Sequence, residues 1–370
     1  MATTYKYIKI HEEELAKCMK CGNCRSICPV FEVENEETMV ARGKLRLVEA
    51  LLNQEINLSS ILIDRIYNCL NCGVCLRSCP GNVDASKIII SARCEIAKED
   101  LLPQLFKEQR ENIIKDGNPF GEKRSERVLG NIQKTNIKKS KNLYFIGCSN
   151  SYVSKEIPQS VQKILKTINY GFVTLGNLEN CCGEPLNQMG ENDLYKKLIN
   201  ENRSLFKNLG IESIFTSCAK CFKNLKENYS SEFEILHTSQ LFYKLICQNK
   251  FKFKPYPQKV IYFDGCNIGR RGGVFEEPRS VLRKVPELKL LEFNSHHQDS
   301  LCCGGPFMDS YCDLAENIAV KRIEGAIKKE ADLIITSCPT CFANLKKGVL
   351  KAGLNIGILD LPVFLSEVIQ

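Results

Sequence analysis

The stretch TSCAKCFKNLK at residues 216–226 returns 120 residues later as TSCPTCFANLK at residues 336–346. Two shorter stretches that precede it are repeated in the same order: Gly147-Cys148 as Gly265-Cys266, and Cys181-Cys182-Gly183-x-Pro185 as Cys302-Cys303-Gly304-x-Pro306. Agreement at three separate places predicts that one unit has been duplicated.

Short apolar runs of strand length alternate with helix-like stretches in both units. The runs of the first unit are NLYFIGC, FVTL, SIFTSC and FEIL, and those of the second are VIYFDGC, LKLLEF, LIITSC and IGILDL. Each unit is therefore predicted to be α/β. Because its cysteines follow strand-like runs, a parallel sheet would bring them together at the carboxyl ends of its strands.

Ten of the 21 cysteines form two sets of five with one pattern: Cys148, Cys181, Cys182, Cys218 and Cys221, then Cys266, Cys302, Cys303, Cys338 and Cys341. The gaps on either side of the CysCys pair are 32 and 35 residues in the first set, and 35 and 34 in the second. Cysteines clustered in this way indicate metal binding and not a disulfide scaffold. Adjacent cysteines bind two neighbouring irons more easily than one, so five thiolates favour an enlarged or split iron–sulfur cluster.

The N-terminal part of the chain carries two copies of the bacterial ferredoxin run, in which three close cysteines hold one [4Fe–4S] cube and the fourth reaches the other cube. The predicted ligand sets are Cys18, Cys21 and Cys24 with Cys79, and Cys69, Cys72 and Cys75 with Cys28. A pair of zinc sites is the alternative, but zinc usually takes two separated pairs of ligands. Helical periodicity at 42–54 and 59–70 predicts helices around these loops.

The predicted fold class is α+β with several domains: an α-helical ferredoxin-type domain with two [4Fe–4S] clusters, followed by two repeated α/β cysteine-rich domains. The predicted boundaries are 1–130 for the helical domain, 131–142 for a Lys-rich linker, 143–250 for the first α/β domain, 251–258 for a second linker and 259–370 for the second α/β domain.

Composition excludes several classes of function. The 370 residues carry a net charge of +8, but the basic residues are spread along the chain, which argues against a nucleic-acid partner. No secretory signal is visible, and the apolar stretch at 354–369 is shorter than the ~20 residues that span a bilayer. We expect a cytoplasmic protein that needs a partner subunit for any role at a membrane.

Residues 148–370 resemble the cysteine-rich domain pair of heterodisulfide reductases, and the N-terminal half resembles the ferredoxin-type subunit fused ahead of it. The chain is also similar to the iron–sulfur subunits of FAD-linked glycolate and lactate dehydrogenases. The resemblance implies a noncubane [4Fe–4S] cluster in each five-cysteine set, with the two clusters facing each other and each receiving one sulfur of a disulfide. Many relatives hold zinc or nothing in the first set, so zinc there is an alternative.

Some residues depart from the family pattern. Asn267 stands where relatives often carry a His, and Gly305-Pro306-Phe307 stands where they carry a glycine-rich run. The substrate end is therefore expected to differ. The stretch 269–279 does match the family, and Arg270 and Arg271 within it are either a solvated helix start or contacts to a cluster or substrate.

Seven further residues have the chemistry for a site but are not assigned to one: Cys94, Cys247, Cys312, His11, His237, His296 and His297. The three cysteines are expected to be small core residues of helices. His296 or His297 could donate a proton to a thiolate near Cys302, but a surface loop is the favoured interpretation. No nucleotide-binding or flavin-binding motif is present, so a flavin would have to come from a partner.

Two functions are compatible with these residues. In the first, electrons enter through the two cubes and the ten cysteines of the paired noncubane clusters carry catalysis, reducing a disulfide or oxidising thiols. In the second, the chain relays electrons for an FAD-linked 2-hydroxyacid dehydrogenase. The implied partners are a flavoprotein or a haem b membrane subunit and a small thiol or disulfide, and an anaerobic habitat is expected.

Overall fold

The computed structural model describes residues 5–128 and 140–370, and the N-terminal half, residues 5–128, is helical as predicted. Its α-helices are α1 Lys6–Lys9, α2 Glu12–Ala16, α3 Phe31–Glu34, α4 Ala41–Leu52, α5 Ser60–Tyr67, α6 Ala85–Lys98 and α7 Gln104–Asp116. Leu45, Val48 and Leu51 recur at helical spacing and bury one face of α4. Short 3₁₀-helices at Asn23–Arg25 and Val74–Ser78 form the cysteine loops and contact each other.

The first unit, residues 140–250, has a three-stranded parallel sheet in the order β1-β2-β3. Its strands are β1 Asn142–Tyr144, β2 Ser213–Thr216 and β3 Glu234–His237. Its helices are α8 Cys148–Tyr152, α9 Glu156–Thr167, α10 Glu184–Met189, α11 Asn192–Asn208, α12 Ala219–Tyr229 and α13 Thr238–Cys247.

The second unit, residues 259–370, has a four-stranded parallel sheet in the order β5-β4-β6-β7. Its strands are β4 Lys259–Phe263, β5 Lys289–Leu291, β6 Leu333–Thr336 and β7 Gly357–Asp360. Its helices are α14 Glu276–Leu282, α15 Cys312–Ile327, α16 Pro339–Ala352 and α17 Leu361–Val368.

The two sheets share one topology, because β1, β2 and β3 correspond to β4, β6 and β7. The run FVTL, predicted as a strand, forms only a single parallel bridge, from Val173 to Leu143. Val173 nevertheless occupies the place that β5 takes beside β4 in the second unit. The predicted α/β duplication is confirmed.

The two units pack against each other in a reciprocal way. Helix α9 of the first unit packs on α17 of the second, and α13 of the first packs on α14 of the second. Both sheets contribute to one core between the units, which includes Tyr144 and Phe215 from the first sheet and Tyr262 and Ile335 from the second. In the order of elements, α9 corresponds to α14 and α13 to α17, so the two contacts are equivalent. Such a pair of contacts resembles the isologous interface of a twofold dimer.

The N-terminal half contacts both units. The Tyr67 hydroxyl donates to the Met189 carbonyl at 2.7 Å, and Tyr311 in the second unit donates to Asp64 at 3.0 Å. These bonds hold α5, which leads into the second predicted ferredoxin loop, against the duplicated part of the chain.

Most of the predicted linker 131–142 lies outside the described residues, and the predicted domain boundaries stay predictions. Residues 251–258 carry no helix or strand apart from a bridge between Phe253 and Ile369. Among the helices of the described residues, none has the length and apolar character needed to cross a membrane.

Candidate metal centres and the cavity between them

The sheet of the first unit places the cysteines of the first set at one edge. Cys148 follows β1 and begins α8, and Cys218 follows β2 and is the N-cap of α12. Since these strands are parallel, both cysteines lie at the carboxyl edge of the sheet. Gly183, in the left-handed conformation, ends the CysCys turn and begins α10.

The five thiols of the first set form one continuous series of side-chain contacts. Cys148 contacts Cys181, Cys181 contacts Cys182, Cys182 contacts Cys221, and Cys221 contacts Cys218. All five residues are buried, and none forms a disulfide. A leading Cys, a CysCys pair and a Cys-x-x-Cys pair that are far apart in sequence thus meet at one place.

The second set has the same series of contacts, from Cys266 through Cys302 and Cys303 to Cys341 and Cys338. The Sγ atoms of Cys303 and Cys341 are 3.1 Å apart. Five buried free thiols are one more than tetrahedral zinc takes, and thiolates are the ligands that iron–sulfur clusters prefer. The donor set in each unit therefore fits an iron–sulfur cluster.

The eight N-terminal cysteines line two small cavities. One, of about 30 Å³, is lined by Cys18, Cys21, Cys24, Cys75 and Cys79. The other, of about 40 Å³, is lined by Cys28, Cys69, Cys72 and Cys75. Each cavity thus brings together the three close cysteines of one run and the fourth cysteine of the other, as the crossed ligand sets require.

The second cavity lies directly beside the second five-cysteine set. The Cys72 side chain contacts Cys302. Arg270 donates to the Cys72 carbonyl at 3.2 Å, and Arg271 donates to the Asn71 carbonyl at 2.7 Å and to Ser86 Oγ at 3.0 Å. The two arginines precede α14 and bind the second ferredoxin loop, so the interpretation as a solvated helix start is wrong.

A buried ion pair lies beside the first set. Arg127 Nη1 donates to Glu179 at 2.6 Å, and its Nη2 lies 3.7 Å from Cys148 Sγ. Burial acts to lower the pKa of Arg127, but the charges of Glu179 and Cys148 raise it above its usual value. Glu179 also accepts the backbone N–H groups of Ile146 and Gly147. Arg127 is thus held as a positive charge next to the leading cysteine.

A cavity of about 210 Å³ separates the two sets. It is lined by all five cysteines of the first set, by Cys266 of the second set and by Cys69 of the N-terminal half. Asn267 and Gly305-Pro306-Phe307, the residues that depart from the family pattern, also line it. The departures therefore fall on the wall of a space large enough for a small molecule.

Lys220 is a residue of this wall that the sequence analysis did not select. Burial acts to lower its pKa, but the charges of Cys338, Cys218, Glu184 and Asp309 raise it above the usual value. A signal was present in the sequence, because Lys220 lies inside the Cys-x-x-Cys of the first unit and the equivalent residue of the second is Thr340.

The remaining residues lie away from this cavity. Cys94 is buried in α6 as expected, but the expectation was wrong for Cys247 and Cys312, which are exposed because they lie at the last residue of α13 and the first of α15. His296 and His297 form a surface turn in which His297 Nε2 lies 2.8 Å from Glu276.

The buried His237 caps α13, and burial lowers its pKa to about 3. His11 contacts Glu14 and Ser91. Neither of these histidines lines the cavity between the five-cysteine sets.

Comparison with known proteins agrees with this architecture. The model of the 4Fe-4S dicluster domain matches residues 14–83, and the model of the cysteine-rich domain CCG matches residues 142–226 and again 260–346. The chain therefore carries a 4Fe-4S dicluster domain followed by two cysteine-rich domains, the architecture of an iron–sulfur oxidoreductase. The predicted fold class and the predicted [4Fe–4S] clusters are confirmed.

Relatives of this iron–sulfur oxidoreductase cover nearly all of the chain. It is 27% identical to a subunit of the dihydromethanophenazine:CoB–CoM heterodisulfide reductase of Methanosarcina acetivorans, over 96% of this chain and 94% of that protein. It is 25% identical to the EtfAB:quinone oxidoreductase of Syntrophomonas wolfei, over 92% of this chain and 56% of that protein. The crystal structure of a hypothetical protein from Helicobacter pylori has the same fold, with a TM-score of 0.65 at 14% identity over 99% of this chain and 77% of that one.

Proposed function

We propose that this chain is a heterodisulfide-reductase-like subunit that receives electrons at its ferredoxin-type half and reduces a small disulfide, or oxidises two thiols, between its two cysteine-rich units. The observation that carries the proposal is the cavity between the five-cysteine sets, because its wall holds all five cysteines of the first set and Cys266 of the second. A disulfide in this space could present one sulfur to each set.

The proposed ligands are the eighteen cysteines of the four sets. The two cubes would be held by Cys18, Cys21, Cys24 and Cys79, and by Cys69, Cys72, Cys75 and Cys28. The noncubane clusters would be held by the sets that begin at Cys148 and Cys266. When bound, these clusters supply one-electron redox chemistry, while the chain holds them close together and shields them from water.

The proposal is tested with protein purified anaerobically, reduced viologen as the electron donor and a panel of low-molecular-weight disulfides. We expect viologen oxidation that depends on the disulfide and that is lost in Cys303→Ser. A control is Cys247→Ser, since Cys247 is exposed at the end of α13 and lies outside the cavity wall. If cluster-replete protein turns over none of the disulfides, disulfide chemistry is excluded.

A second candidate function is electron relay between a flavoprotein, such as an FAD-linked glycolate or lactate dehydrogenase, and another acceptor. It is favoured by the similarity to a protein named EtfAB:quinone oxidoreductase and by the altered residues Asn267 and Gly305-Pro306-Phe307. Co-purification from the native host separates the two functions. If a flavoprotein that oxidises lactate or glycolate co-purifies, electron relay is supported. If a haem b membrane subunit co-purifies, the heterodisulfide reductase is supported. The second result would also support a cytoplasmic protein that is attached to a membrane through its partner.

Metal analysis tests the cluster assignment separately from activity. Four clusters of four irons predict about sixteen iron per chain. Stoichiometric zinc with about four fewer irons would support the alternative in which the first set is a structural zinc site.

A further inference from the structure

Lys220 occupies a place where the two cysteine-rich units differ. It lies between Cys218 and Cys221 in the first turn of α12, and its counterpart in α16 is Thr340. Both side chains line the cavity between the five-cysteine sets. The duplicated fold thus provides two equivalent positions on opposite walls, and only one of them carries a charge.

The ammonium group of Lys220 lies within electrostatic range of both sets. Lys220 lines the same cavity as Cys182 of the first set and Cys266 of the second. Its charge acts on the thiols of Cys182, Cys303 and Cys338. Because a side chain of the first unit acts on thiols of the second, its charge lies in the space between the two sets.

The other charged groups of the cavity wall are either paired inside the protein or, like Asp309, exposed to solvent. Glu184 accepts from Lys223 at 3.1 and 3.0 Å, and Arg93 donates to the carbonyls of Gln188, Ile66, Tyr67 and Cys69. Lys347 is exposed to solvent. Within residues 5–128 and 140–370, no carboxylate lies within ion-pair distance of Lys220. Lys220 is therefore a cation that is available to a molecule in the cavity.

We infer that Lys220 stabilises the negative charge that develops on the substrate sulfurs during disulfide cleavage, and that it does so for both halves of the disulfide. This inference rests on the proposed function. When a disulfide gains two electrons from the donor, its S–S bond breaks and each sulfur leaves as a thiolate, which is later protonated by solvent. A preorganised positive charge stabilises such developing charge.

The test uses Lys220→Thr, which copies the second unit, and Lys220→Thr with Thr340→Lys, which moves the lysine to the opposite wall. The assay is disulfide reduction by reduced viologen. We expect the single variant to lower kcat by about a hundredfold while iron per chain is unchanged, since loss of one preorganised donor has an effect of this order. The double variant is expected to recover most of the activity, because it returns the charge to the same space.

Reduction potentials supply a readout that does not depend on turnover. Loss of a nearby positive charge disfavours the added electron, so Lys220→Thr is expected to make the potentials of both five-cysteine centres more negative while those of the two cubes stay unchanged. The double variant is expected to restore them. A matched control is Lys207→Thr, which removes an exposed charge of α11.

The inference is overturned if the double variant stays as slow as the single one, or if the potential of only the first centre moves. If Lys220→Thr loses iron, the same measurements on Lys220→Gln decide, since glutamine keeps a polar side chain without the charge. Absence of disulfide turnover in the unaltered protein contradicts the proposed function, whereas the potentials still decide whether the Lys220 charge acts on both centres.

Discussion

At the scale of single residues, Gly147 and Gly265 precede the leading cysteine of each unit but have different surroundings. The φ of Gly147 is +81°, and a Cβ there would lie 2.8 Å from Cys221 Sγ. At Gly265, whose φ lies outside the left-handed region, the nearest atom to a Cβ would be Ile268 Cγ2 at 3.3 Å. Glycine is therefore required at position 147, both by the positive φ and by the nearby Cys221 Sγ, but the conformation at position 265 does not require it.

We expect Gly147→Ala to displace Cys221 and to lower the iron content by about four per chain, one cluster. Gly265→Ala is the matched control and should keep nearly all its iron. The measurement is iron per chain after anaerobic purification. Equal iron in the two variants would show that the backbone before Cys148 tolerates a side chain.

Residue spacing predicted which cysteines meet but missed the charges beside them. The two five-cysteine sets could be found because a repeat fixes corresponding positions. Arg127 reaches Cys148 from the end of the N-terminal half, and Arg93 binds carbonyls in that half and in the first unit. These arginines belong to no repeated motif and lie far in sequence from the groups they contact. Neither a repeat nor a residue spacing could therefore predict the contacts.

At the scale of elements, the segment between β4 and α14 joins the second unit to the second ferredoxin loop. Its Arg270 and Arg271 donate to the carbonyls of Cys72 and Asn71. Hydrogen bonds from a charged donor contribute about 1.5–3 kcal/mol each. The loop that carries Cys72 is therefore also anchored by a different part of the chain.

We expect Arg271→Ala to release this loop and to raise amide hydrogen exchange of residues 69–79 by about 10- to 100-fold, which corresponds to the loss of one such interaction. Mass spectrometry of the exchanged protein provides the measurement. Arg283→Ala is the control, since it removes an exposed pair with Glu276 in α14. Unchanged exchange in Arg271→Ala would mean that the loop is ordered without Arg271.

Element prediction was accurate where a run had enough apolar residues to fill a central strand. SIFTSC and LIITSC became β2 and β6, which are buried along their whole length. FVTL formed only the bridge at Val173, although LKLLEF at the equivalent edge of the second sheet formed the strand β5. The hydrophobic pattern of a single run does not predict which strands it will pair with or over what length.

At the scale of the whole molecule, the site is made by the packing of the two units and not by either unit alone. The motifs predicted two sets of thiols. They did not predict that α9 packs on α17 and α13 on α14, and this packing turns the two sets toward one cavity. Burial of Tyr144, Phe215, Tyr262 and Ile335 in one core couples the two sheets. Damage at this interface should therefore affect both metal centres.

Phe364 tests this coupling, since it lies in α17 of the second unit, is fully buried and shares a core with Val161, Ile164 and Leu165 of α9. We expect Phe364→Ala to lower stability by about 3–5 kcal/mol, as other large-to-small core substitutions do. On heating under anaerobic conditions, both five-cysteine centres should then lose iron together and at a lower temperature than in the unaltered protein. Leu350→Ala is the control, because Leu350 in α16 is 82% exposed. Loss of iron from the second centre alone would show that the units are independent, and the shared core would then not be what holds the two sets across the cavity.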